Sequence, residues 1–435
     1  MNLRGHLLRG VFGSLGLTVA TAGLTFINGV LLARLLGAAN YGIYASAIAI
    51  VLLLSLPLTL GFDRLLIRDV AASDPLNTWA RVRGLIHRAV QIVLPVSIAA
   101  IVIVGVGALV LEGSLADETL PVLWLALLMI PLLVLTTLRR SISLGLQRIV
   151  SSQLPDAIIR PGLFVVLLAI AYVAVGTISA AAAMALNLFA VAVAFLVGLL
   201  LLWYELPTAL RGAAPQFETR RWMREALPFA LSTAALTIMN QIDVVLVGSL
   251  AGATSAGLYA VAARGAGLAL FGALAVNTTL APTASQLWTQ HERARLQHVV
   301  TRGARGAFVF ALGVAVVLWI FGPQFLLLFG PEFVAANSTM AVLAVAQVID
   351  CGFGLGGLML SMTGLQGINF ASVAVAVVFR VGLDVALIPS MGAMGAAVAA
   401  VISIAIFNAL TAWFTWRRLR IDATPVGLWH PQLAT

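Results

Sequence analysis

The sequence predicts an all-α integral membrane protein of about twelve transmembrane helices, arranged as two parallel six-helix repeats, an N-lobe and a C-lobe, around a central cavity. Three observations carry that expectation. Of 435 residues, 61% are hydrophobic and only 9% charged, against about 25% charged in an ordinary soluble domain. A scan for runs of ~20 apolar residues, enough to cross a ~30 Å hydrocarbon core, finds twelve. A ten-residue pattern recurs at an offset of 215, close to half the chain.

The spans fall near 11–33, 42–62, 89–111, 120–138, 161–177, 180–203, 226–248, 258–281, 306–322, 338–361, 370–388 and 392–414. Arg4 and Arg9 precede the first, and Ala20-Thr21-Ala22 resembles a signal cleavage site. Apolar sequence runs on to Leu32, too long for a signal core, so a retained helix is expected. Pro57, Pro95 and Pro131 interrupt the next three spans, each removing a backbone donor and favouring a kink. Gly352-Phe353-Gly354-Leu355-Gly356-Gly357 has the spacing of a dinucleotide loop but lies within a span, where glycines serve close helix packing. Thr283 to Arg305, with Leu287, Trp288, Leu296, Val299 and Val300 among charged residues, predicts an amphipathic cytoplasmic connector at the headgroup level.

Arginine placement sets the orientation. There is no lysine, and 22 of the 25 arginines fall in alternate, inside segments if the N-terminus is cytoplasmic. These include Arg64, Arg68, Arg81, Arg83 and Arg88, then Arg139, Arg140, Arg148 and Arg160, and later Arg293, Arg295, Arg302 and Arg305. The outer loops are short and acidic, with Glu112, Asp117, Glu118 and Glu332, while all five histidines, His6, His87, His291, His298 and His430, lie inside. By the positive-inside rule both termini are expected in the cytoplasm; the membrane is expected to be a bacterial inner membrane. A net charge of +9 on so little polar surface points to anionic lipid, not nucleic acid. The single cysteine, Cys351, excludes an intramolecular disulfide and a thiolate metal cluster, and no cofactor or metal is expected. Outer loops without Arg or His argue against a glycan polymerase or ligase, so no enzyme activity is expected.

The repeat matches Leu36-Gly37-Ala38-Ala39-Asn40-Tyr41-Gly42-Ile43-Tyr44-Ala45 with Ala251-Gly252-Ala253-Thr254-Ser255-Ala256-Gly257-Leu258-Tyr259-Ala260. Both copies follow a helix running inside to outside, so the halves are parallel, a transporter architecture. The expected organisation is an N-terminal lobe at 1–210, a cytoplasmic linker at 211–220, a C-terminal lobe at 221–420 and a cytoplasmic tail at 421–435.

Charges inside the spans are the candidate site, since each costs at least ~2.5–3.5 kcal/mol at a helix centre. They are Arg34, Asp243, Arg264, Asp350, Arg380 and Asp384. Counted from Ala253, Asp243 and Arg264 fall at one depth on adjacent helices; counted from Leu365, so do Asp350 and Arg380. Arg380 and Asp384 share a helix face one turn apart. Two roles remain open: mutual neutralisation as ion pairs, or a cavity in which Arg34, Arg264 and Arg380 receive an anion while Asp243, Asp350 and Asp384 hold a coupling ion.

Several stretches resemble the oligosaccharide flippase family, also called Wzx-type or polysaccharide biosynthesis proteins, of the multidrug/oligosaccharidyl-lipid/polysaccharide exporter superfamily. They are Leu31 to Tyr44, Phe329-Gly330-Pro331-Glu332-Phe333, and Leu387-Ile388-Pro389 followed by Gly392-Ala393-Met394-Gly395-Ala396-Ala397. The resemblance implies a two-lobed bundle that moves a polyprenyl-diphosphate-linked oligosaccharide to the outer leaflet, with membrane lipid and a glycan polymerase or ligase of the same pathway as partners. The family often has Asn in the eleventh span where this chain has Arg380 and Asp384. The alternative within the superfamily is a drug or cation antiporter, with Asp243 or Asp350 binding the cation.

Overall fold

The computed structural model describes residues 3–72, 79–110, 118–353 and 355–427, with side chains from Gly16 onward except residues 18 and 19. Arg4, His6, Arg9, Glu112, Asp117, Gly354 and His430 lie outside the described residues or side chains. Helices without strands fill the described chain, as expected where hydrocarbon is the solvent and each segment must satisfy its own backbone. In order they are α1 (Leu3–Ser55), α2 (Phe62–Ala71), α3 (Trp79–Val110), α4 (Thr119–Leu127), α5 (Met129–Gly145), α6 (Ile149–Leu154), α7 (Arg160–Val175), α8 (Ala180–Glu205) and α9 (Thr208–Gly212). Then come α10 (Thr219–Leu250), α11 (Gly252–Gly267), α12 (Leu270–Thr289), α13 (Arg293–Leu327), α14 (Asn337–Phe353), α15 (Leu355–Met362), α16 (Gln366–Met391) and α17 (Ala393–Leu419).

Ten helices among the described residues are long and apolar enough to cross a bilayer, or eleven if the bent pair α11 and α12 forms one span. The first of these, inside α1, counts twice. At 53 residues α1 would be ~80 Å long if straight, more than twice the hydrocarbon thickness. Gly37, with φ 69 and ψ 173, breaks its helical geometry, so two spans meet there and the count reaches twelve. The repeat partner Gly252 also has a positive φ, of 85, at the break between α10 and α11. Both glycines take a conformation that a Cβ disfavours, which accounts for glycine at equivalent places in the two copies. The outward faces are apolar, with Val110, Val173 and Val378 80%, 86% and 71% exposed, as a lipid-facing surface requires.

The chain divides into two compact units, Met1–Thr237 and Ile238–Thr435, with the boundary inside α10. In the first, α5 packs against α2, α3 and α8, and α1 against α4, α7 and α8. In the second, α14 contacts α11, α13 and α17, while α16 lies along α17. The Gly352–Gly357 run serves helix packing: a Cβ on Gly356 would lie 3.0 Å from the Thr411 carbonyl carbon, and one on Gly352 would lie 3.1 Å from the Phe308 ring.

Three local expectations are corrected. The span expected at 258–281 is bent by 48° between α11 and α12, where Leu268 and Ala269 make short-range bonds to Gly265 and Ala266 of 3.1 Å each. No separate amphipathic connector exists at 283–305: α12 runs to Thr289, and 293–305 are the opening turns of α13, so their apolar residues pack inside the unit. Arg139 and Arg160, placed by sequence in a cytoplasmic loop, lie within apolar helices long enough to span. Of the prolines, Pro57 opens a 3-10 turn, Pro131 sits in the first turn of α5 just after the break at Leu128, and Pro95 remains inside an unbroken α3. In a first turn a proline sacrifices no helical hydrogen bond.

Gly61 combines a φ of 77 with the close approach of α10, so Gly61→Ala would push a Cβ against Ala226 O and to 2.9 Å from Ala230 N. It should lower stability by about 1–3 kcal/mol. Thermal unfolding of purified protein should show a reduced midpoint for Gly61→Ala and none for Gly107→Ala, whose Cβ meets nothing within 4 Å. Equal midpoints would refute this packing.

Candidate functional site

The second unit buries a polar network contributed by four helices. Asp243 on α10 is 4% exposed, Tyr259 on α11 3%, Arg380 and Asp384 on α16 5% and 0%, and Ser403 on α17 0%. Arg380 Nε donates to Asp243 Oδ1 at 2.7 Å and Nη2 donates to Oδ2, making a bidentate pair, while Nη1 donates to Ser403 Oγ at 2.8 Å. The Tyr259 hydroxyl donates to Asp243 Oδ2, and Ser403 passes its own hydrogen to the Ala399 carbonyl at 2.7 Å. Each guanidinium nitrogen of Arg380 is therefore engaged. A fork-to-fork geometry of this kind offsets part of the desolvation of both ions.

Asp384 is different. Arg380 Nε stands 4.0 Å from its Oδ2, no N–H among the described residues donates to either oxygen, and the Asp243 carboxylate lies within hydrogen-bonding reach when one of the two acids carries a proton. Asp243, already paired, is its other charged neighbour. Two carboxylates thus face one guanidinium, leaving an excess negative charge that a proton or small cation on Asp384 would balance.

Helix breaks decide who meets whom. The turn between α10 and α11 is at Ala251, not Ala253, so Asp243 and Tyr259 each lie eight residues from it, at matched depth. Arg264 falls five residues beyond Tyr259, and the partner of Asp243 is Arg380 instead. Asp350 likewise does not pair with Arg380: it is half-buried on α14 and accepts from Asn408 Nδ2 at 2.9 Å. Arg34 is exposed on α1, three residues before the Gly37 break, and Arg264 is half-buried in the last turn of α11. Sequence reading missed Tyr259, Ser403 and Asn408 as site residues, although the repeat already contained Tyr259.

The first unit has uncharged residues at the matching positions, with the Arg160 guanidinium near Tyr44. At the repeat offset, Tyr44 matches Tyr259 and Asn28 matches Asp243, while Asn187 lies within one residue of the position matching Ser403. All three are buried: Asn187 Nδ2 donates to the Tyr44 hydroxyl at 2.6 Å, and Asn28 Nδ2 to the Pro161 carbonyl at 3.0 Å. A separate charged contact lies nearer the arginine-bearing ends of the helices. Arg139, 3% exposed, donates from Nη2 to Asp156 at 2.8 Å and lies against Gly198 of α8, where a Cβ would fall 2.5 Å from Cζ.

A family model described as polysaccharide biosynthesis protein matches residues 7–288, well over half of the chain. The chain belongs to that family. A second model, MatE, matches residues 228–389. Two relatives from the archaeon Haloferax volcanii are similar over part of their length: the probable low-salt glycan biosynthesis flippase Agl15, 25% identical over 174 residues, and the probable flippase AglR, 27% over 172. Those stretches cover 40% and 39% of this chain, and the chain spans only 37% and 36% of the relatives' length. Among solved structures, an inward-facing multidrug resistance MATE transporter of the MOP superfamily superposes with a TM-score of 0.72 at 18% identity, over 93% of this chain and 94% of the other. Lipid II flippase MurJ in an inward closed conformation gives 0.73 at 14% identity, over 93% and 87%. At such identities the likeness is one of fold.

The pairing makes a specific rescue testable. Asp243→Asn would leave the Arg380 guanidinium buried without its counter-charge, a loss of about 3–5 kcal/mol. Membrane abundance should fall, and adding Arg380→Gln should restore it, whereas adding Arg264→Gln should not. Rescue by Arg264→Gln in place of Arg380→Gln would overturn the observed pairing. Asp384→Asn removes a carboxylate that receives no N–H hydrogen bond, so its abundance should equal or exceed that of the parent by quantitative immunoblot, and a marked drop would contradict the excess negative charge.

Proposed function

We propose that this protein is a flippase that carries a polyprenyl-diphosphate-linked oligosaccharide from the cytoplasmic to the outer leaflet by alternating access of its two halves, in the cytoplasmic membrane with both termini inside. The observation that carries the reading is the match to the polysaccharide biosynthesis family over residues 7–288, supported by two partial relatives whose names both say flippase. The embedded arginines supply the chemistry: a planar guanidinium binds a diphosphate bidentately, which an ammonium cannot. Arg34, Arg264 and Arg380 are the proposed substrate ligands, with Arg380 reaching the diphosphate once transport loosens its pair with Asp243 and Ser403. Asp384, beside that pair, is the coupling residue, with Asp243 and Asp350 as its candidate companions. A glycan polymerase or ligase would consume the delivered unit.

One observation favours a second reading, a cation- or drug-coupled antiporter. The buried network of the second unit has two carboxylates to one guanidinium, an acidic excess suited to a cation.

Deletion in a strain lacking paralogues should abolish surface glycan and accumulate its lipid-linked unit in the inner leaflet. Unchanged glycan output, together with broad cationic-drug resistance on overexpression, would replace the flippase reading by the antiporter one.

A further inference from the structure

The second unit also has an apolar groove of about 800 Å³ that the charged network does not use. One wall is the 48° bend, with Leu268 and Phe271; the other is α13, with Val309, Gly313, Val317 and Phe321. Gln324 is the one polar side chain in the lining. The groove lies where α11 and the bend stand off from α13 while α12 packs along it, and Phe321, with φ −107 and ψ 15 just before Pro323, kinks the α13 wall.

Its length is informative. From Val309 to Leu328, the first and last lining residues of this wall, the chain advances at most ~28 Å, the rise of a straight helix without the kink at Phe321, against ~30 Å for the whole hydrocarbon core. An ordinary phospholipid acyl chain reaches only about half that, one leaflet. At the end nearer the start of α13 the same helix carries cations. Arg302 is exposed and lies seven and eleven residues before Val309 and Gly313, on one helical face with them. Arg305 is held by the Pro425 carbonyl at 2.7 Å and the Val426 carbonyl at 3.3 Å. A cation at the headgroup level followed by an apolar track of up to nearly full bilayer depth complements one kind of lipid: an anionic head on a chain much longer than a fatty acid.

We propose that this groove is a docking track for the prenyl chain of a polyprenyl diphosphate lipid, with Arg302 meeting the diphosphate. The assignment rests on the flippase reading for its biological substrate and gives that reading a tail site along the exposed face of α13. A β-branched and aromatic lining also suits the methyl-branched isoprenoid chain.

The test uses the full-length protein in nanodiscs and a polyprenyl diphosphate carrying a diazirine near the end of its tail. Adducts should map to 309–328 or to the Leu268–Phe271 bend. A Cβ on Gly313 meets nothing within 4 Å, so Gly313→Trp can fold while filling the track. It should cut adduct yield roughly tenfold, the effect of displacing about 1.4 kcal/mol of contact. Leu312→Trp, exposed on α13 outside the lining, should leave the yield unchanged. Arg302→Gln should reduce labelling by the diphosphate but not by the matching uncharged polyprenol. Adducts mapping elsewhere, or a diazirine phosphatidylglycerol labelling the same stretch with equal yield and equal sensitivity to Gly313→Trp, would overturn the proposal. Flipping of a fluorescent lipid-linked glycan by the parent protein, measured in parallel, separates the two readings. Flipping with adducts elsewhere removes the groove alone, whereas adducts in the groove without flipping remove the flippase and leave a prenyl-lipid site.

Discussion

The bidentate contact between Asp243 and Arg380 is the interaction on which the second unit is organised. Either ion alone would be expelled from the hydrocarbon, so α10 and α16 are obliged to meet where their charges coincide. The contact spreads through neutral groups: Ser403 ties α17 to the guanidinium, and Tyr259 ties α11 to the carboxylate. Helices far apart in sequence are thereby joined at one point. Such a joint is also a natural place for a switch, because a carboxylate with no N–H donor, Asp384, lies next to it. Adding or removing one charge there changes the electrostatic balance of the whole joint in a medium that screens poorly.

The internal repeat gives this arrangement a control within the same chain. Asn28 and Tyr44 of the first unit stand where Asp243 and Tyr259 stand in the second, and Asn187 lies within one residue of the Ser403 position. They too are buried and hydrogen-bonded, but they carry no charge. The matching positions therefore hold neutral residues in one copy and a carboxylate among them in the other. The first unit keeps charges of its own: Arg139, paired with Asp156 and accommodated because Gly198 has no side chain, and Arg160, which lies near Tyr44 and Asp156.

The helical class, the number of spans and the repeat were all legible from residue order, because they follow from local properties. Apolar length sets what can cross a bilayer, and the positive φ at Gly37 and Gly252 marks equivalent breaks. The charged candidates were legible for the same reason, since an Asp or Arg amid apolar neighbours is conspicuous. Their partners were not. Depth matching pairs Asp243 with Arg264 only if the turn is centred on Ala253; a shift to Ala251 brings Tyr259 level instead, and one residue of helix moves a side chain by 100° and ~1.5 Å. The bend between α11 and α12, the groove beside it and the burial of Arg139 follow from how helices pack against one another. Composition and periodicity act along a single helix, whereas an ion pair or a groove needs the azimuth and offset of two, which are settled when side chains from distant stretches of chain pack together.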